Sequence, residues 1–99
     1  MSLDKNQRSI TTSEFNQSLA QLHLTVAELS EFFQVTSDKI QSIIDMDERL
    51  PENVWILRNN LLERFKEQNI TPIHFSQLQG DYHNYWFLDS QLIDRKILL

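Results

Sequence analysis

Ser37, Lys39, Gln41 and Ser42 have the types that a reader of duplex DNA carries on one short helix. A glutamine amide can pair with the N6 and N7 edge of adenine, and serine hydroxyls can meet phosphate oxygens or base edges. Lys39 would add a phosphate contact. These residues follow Thr36, where a recognition helix would start. Asp38 and Asp45 fall on the same outer side and would repel phosphate. The stretch therefore reads also as a structural helix with a solvated acidic face.

Lys5 and Arg8 form a second candidate, a flexible arm reaching into a minor groove. Two charges supply little phosphate affinity, and a solubilising tail is the plain alternative. A third candidate is the aromatic patch Tyr82, His83, Tyr85, Trp86 and Phe87. Packing on a neighbouring helix accounts for it. A dimer or partner surface at Tyr82, Tyr85, Trp86 and Phe87 is the alternative, because aromatics concentrate at interface hot spots. Stacking on single-stranded nucleic acid would need an electropositive groove that the sequence lacks.

His74, Asp81 and His83 could gather around a metal, but nothing in their spacing fixes a ligand geometry. No metal and no cofactor are expected. The sequence has no glycine-rich phosphate loop, no nucleophile elbow and no HExxH. It is not expected to be an enzyme, and no small-molecule substrate is evident.

Charge placement bears directly on the DNA reading. Between Thr25 and Glu48 stand six acids (Glu28, Glu31, Asp38, Asp45, Asp47, Glu48) and one base, Lys39, a net of −5. The remaining residues hold eight acids and eight bases. The entire net charge of −5 thus lies on the stretch that would face DNA. That opposes the positive footprint of a nucleic-acid reader.

The elements that must position these residues are helices. One Gly and two Pro in 99 residues are too few for a fold built on many tight turns. With 40% apolar residues the chain can close one modest core, so a single domain over 1–99 is expected. Residues 1–9 read as frayed or loosely docked. Thr11 and Glu14 have capping-box spacing, with Ile10 and Phe15 as a hydrophobic staple, which predicts a helix over 12–23. Thr25 with Glu28, and Thr36 between Val35 and Ile40, predict helices over 26–33 and 37–46. Together residues 10–48 form a three-helix head with a helix-turn-helix at 25–46. Leu29, Phe33, Val35, Ile40 and Ile43 supply its shared core.

Pro51 opens a longer helix over 51–68, with Val54, Leu57, Leu61 and Phe65 as its stripe and Asn69 as its cap. For 71–99 two readings stand. Residues 73–78 could pair as a strand with 85–88, or 71–80 could form a short helix; the extended form is preferred for its aromatic neighbours. A last short helix would cover Ser90 to Lys96. The fold expected is all-α with four to five helices, with or without a short C-terminal hairpin.

Without cysteine there is no disulfide framework, which fits a reducing compartment. The N-terminus lacks an apolar run behind its charges, and no segment approaches the ~20 apolar residues of a bilayer span. A cytoplasmic protein without a membrane segment is the expectation.

Two blocks resemble known sequence. TVAELSEFFQVTSDKIQSII resembles the helix-turn-helix of the phage-repressor-like superfamily. WILRNNLLERFKEQNITPIHFSQLQGDYHNYWFLDSQLID is similar to the downstream part of a family of small bacterial proteins of unknown function (domain of unknown function 2316), with DYHNYWFLD its specific part. The resemblance implies a repressor-like all-α head and a bacterial, cytoplasmic origin. It carries over no catalytic or binding residue. Two departures from the repressor pattern are Gln34 at the turn, where Gly is usual, and Ser30 where Ala is common.

Two functions are then expected. The first is a DNA-binding transcriptional regulator acting as a homodimer on double-stranded DNA. The alternative is an acidic helix-turn-helix scaffold for homodimer or protein–protein association that does not bind DNA.

Overall fold

A computed structural model describes residues 5–47, 51–78 and 98. Among the described residues four helices follow one another: α1 (Lys5–Leu22), α2 (Val26–Phe33), α3 (Ser37–Ile44) and α4 (Pro51–Glu67). Among the described residues there is no strand.

The middle helices start where capping chemistry dictates. The Thr25 hydroxyl accepts from the Glu28 N–H at 3.1 Å, and the Glu28 carboxylate accepts from the Thr25 N–H at 3.2 Å. That reciprocal box satisfies two donors that a helix start would leave bare. Thr36 does half as much, its hydroxyl accepting from the Lys39 N–H at 3.1 Å. Leu29 and Ile40, four residues after these caps, are fully buried, while Leu24 and Val35 before them pack at the rim of the core.

All four helices end in one device. His23, Gln34, Met46 and Asn69 take φ between 52° and 62°. Each donates its N–H three residues back, and the next residue donates five back, as in Gln34 N to Glu31 O and Val35 N to Ser30 O. This is the Schellman closure, in which glycine usually takes the left-handed position. Here none of the four is glycine, so each carries a Cβ in a conformation that costs about 1–2 kcal/mol. Gln34 therefore departs in residue type from the expected glycine while keeping its backbone geometry.

The start of α1 corrects the sequence expectation. The helix begins at Lys5, so residues 5–9 are helical and not frayed. Thr11 is not a cap: its buried hydroxyl donates to the Gln7 carbonyl at 2.8 Å, one turn back. Ser18 repeats the device on Glu14 O at 2.9 Å. Ile10 is 43% exposed, so it staples nothing, whereas Phe15, Leu19 and Leu22 form the predicted buried face.

Those three residues meet Leu29, Ile40, Ile43 and Ile44 of the α2–α3 corner and Val54, Leu57, Leu61 and Phe65 of α4 in one core. Phe33 and Val35, expected inside it, are half-buried at its edge. At its start α4 has no wet face: Glu52, Asn53, Val54, Trp55, Ile56 and Leu57 are all buried. The helix enters through the middle of the molecule, as a spine does.

Residues 71–78 form an irregular strap, not the first arm of a hairpin and not a helix. The strap lies against α1 and α4. Phe75 is buried with its ring 5.2 Å from that of Phe15. The Glu14 carboxylate accepts from the Ser76 N–H at 3.1 Å and from its hydroxyl at 2.8 Å. The Arg58 Nε donates to the Leu78 carbonyl at 3.0 Å. Tertiary side-chain groups thus take the place of the strand ladder that the alternating pattern suggested. The second hairpin arm and the short helix from Ser90 lie outside the described residues.

Candidate functional site

The outward side of α3 is set by its buried stripe. With Ile40, Ile43 and Ile44 facing the core, Ser37, Asp38, Gln41 and Asp45 are left exposed, and Lys39 and Ser42 half-buried. The structure therefore brings Ser37, Lys39, Gln41 and Ser42 onto one short helix, with only Ser37 and Gln41 exposed. Two of them are engaged locally. The Gln41 amide donates to the Asp45 carboxylate at 3.1 Å. Ser37 donates to the Ser30 hydroxyl, which itself donates to Ala27 O at 2.7 Å. Gln41 would have to give up Asp45 to meet a base edge, and Asp45 would then face the same ligand.

Asp38, Asp45 and Asp47 are exposed, and so are Glu28 and Glu31 on α2. Exposed carboxylates on both helices of the corner and just after it give a negative field toward an approaching phosphate. Lys5 and Arg8 do not form a flexible arm; both are exposed on the opening turns of α1. A helix cannot thread a minor groove as an extended arm does.

A feature that sequence reasoning missed lies where α2 meets the last turns of α4. Phe32 is 60% exposed. Its ring stands edge-on to Phe33, with centroids 5.0 Å apart and planes at 86°. The Arg64 guanidinium covers it, 5.0 Å from the ring centroid. Arg64 is oriented in turn by Asn60, whose side-chain oxygen accepts from Nε at 2.7 Å. One signal was available. Adjacent aromatics on a helix point about 100° apart, so Phe32 and Phe33 cannot both face one core. Nothing local links Phe32 to Arg64.

Tyr82, Tyr85, Trp86 and Phe87, the predicted partner patch, lie outside the described residues, as do Asp81 and His83. His74 is exposed on the strap. Among the described residues no group of three His, Cys, Asp or Glu could hold a metal ion. Among the same residues no helix is long and apolar enough to cross a membrane.

No curated protein and no solved structure matches the chain. One family model does, over residues 1–89, which include the helical head, the strap and most of the aromatic tail. The chain belongs to that family, uncharacterized protein conserved in bacteria (DUF2316).

Proposed function

We propose that this is a helix-turn-helix protein that works by associating with protein and does not read duplex DNA. The observation that carries the reading is the acidic outward side of the α2–α3 corner. Asp38, Asp45 and Asp47 are exposed there, and Gln41, the side chain best suited to a base, is tied to Asp45. A recognition helix of that sign would meet phosphate with repulsion, and binding affinity for duplex DNA comes largely from phosphate neutralisation. The proposed role is that of a scaffold without catalysis, in the cytoplasm that a cysteine-free sequence suits.

A second reading, a DNA-binding transcriptional regulator, is favoured by the corner itself. Two eight-residue helices joined by Gln34, Val35 and Thr36 have the build of a recognition unit, with Ser37 and Gln41 exposed.

One titration separates the two. Mixed-sequence duplex DNA is offered at low salt, and the salt is then raised. The association reading expects no retention even at the lowest salt. Retention that weakens steeply with salt would establish the DNA reading instead.

A further inference from the structure

We propose that the Phe32–Arg64 platform is the surface through which two copies of this chain associate about a two-fold axis, Arg64 of each meeting Glu31 of the other. The inference rests on the protein-association reading and names its partner. One exposed apolar side chain is ordinary. Phe32 differs in being held from two sides, edge-on by Phe33 and from above by Arg64. A ring fixed in water has little side-chain freedom left to lose on contact. Aromatics and arginine are also the types enriched in interface cores.

Arg64 is poised in the same way. Its Nε is occupied by Asn60, while its terminal amino groups have no hydrogen-bond partner among the described residues. That leaves one edge of the planar fork for a carboxylate, a geometry arginine satisfies with two parallel bonds. Glu31 adjoins Phe32 and is exposed, and its carboxylate has no partner among the described residues. Phe32 thus lies under an open cationic fork, with an exposed carboxylate one residue before it on α2.

This combination selects its occupant. A two-fold interface uses one patch twice, so the patch must complement itself. A surface of one sign cannot do so; one carrying both signs around an apolar centre can. Phosphate would meet Glu28 and Glu31, and a basic partner would meet Arg64. The patch is small, so the association is weak and populated at high protein concentration.

The test is sedimentation equilibrium on the full chain from low micromolar to millimolar concentration. The mean mass is expected to rise toward that of a dimer. Phe32→Glu, Arg64→Glu and Glu31→Arg should each hold the chain at monomer mass with helical content unchanged. The double variant Glu31→Arg/Arg64→Glu, which exchanges the charges across the axis, should restore association. A wild-type chain that stays monomeric would overturn the proposal. So would a dimer indifferent to Phe32→Glu, or a charge exchange that restores nothing. Any of these leaves the wider association reading intact, because that one is decided by retention of duplex DNA.

Discussion

In the α2–α3 corner, polar side-chain contacts such as Thr25 with Glu28 and Ser37 with Ser30 close over three to seven residues of chain. The strap at 71–78 is anchored over far longer spans, 20 residues for Arg58 to Leu78 and 62 for Glu14 to Ser76. The corner brings its own caps and turn, and takes from the rest of the chain the cover over Leu29, Ile40, Ile43 and Ile44 and the Arg64 guanidinium over Phe32. The strap has no regular backbone pairing and takes its shape from α1 and α4. Local chemistry thus shapes the caps and turn of the acidic corner, while long-range chemistry sets the strap and places Arg64 over Phe32.

The largest expected effect falls where the strap meets the core. Phe15→Ala removes a fully buried ring and its neighbour's stacking partner, so a loss of about 3–5 kcal/mol is expected from the denaturant midpoint. In a double-mutant cycle with Phe75→Ala, a coupling of about 0.5–1.5 kcal/mol should appear. A coupling of zero would mean that the strap is not packed through these rings.

Glu14→Ala comes next, at about 1–2 kcal/mol for the lost charge-assisted bonds to Ser76 at a half-buried site. The loss should be read at a distance. Amide exchange at Ser76 should quicken, while amides of α2 and α3 keep their protection. Unchanged exchange at Ser76 would remove the long-range half of the comparison.

Thr25→Ala should cost about 1 kcal/mol, and its signature should stay local, in faster exchange at the first turn of α2. If it loosened the strap as well, the corner would not be the autonomous unit described. The smallest change runs the other way. Gln34→Gly relieves a left-handed cap and should raise stability by about 1 kcal/mol or less, because the gain is offset by glycine's freedom in the unfolded chain. A lower melting temperature would show that the Gln34 side chain contributes contacts that outweigh its backbone strain.

The same division decided what could be read from sequence. The starts of α2, α3 and α4 were legible because Thr25, Thr36 and Pro51 act within one turn. The end of α4 was legible from Asn69 for the same reason. The start of α1 was not, since Thr11 and Glu14 have capping-box spacing while their side chains serve Gln7 and Ser76. No periodicity announces a carboxylate committed 62 residues away. The strap was misread because Ile73, Phe75 and Leu78 look like a strand face, and only the third dimension supplies Arg58 and Glu14 in place of a ladder. Of the candidate site, the acidic sign of the corner was fully legible. The Phe32–Arg64 contact was not, because it joins two helices with no shared local signal.

The measurement that bears most directly on function is fluorescence anisotropy of a labelled mixed-sequence duplex at the lowest ionic strength the protein tolerates. Its partner experiment is the variant Asp38→Asn/Asp45→Asn, which lightens the corner by two charges. No anisotropy change is expected with the wild-type chain at any concentration. Saturable binding by the wild type that fades as salt is added would contradict the association reading.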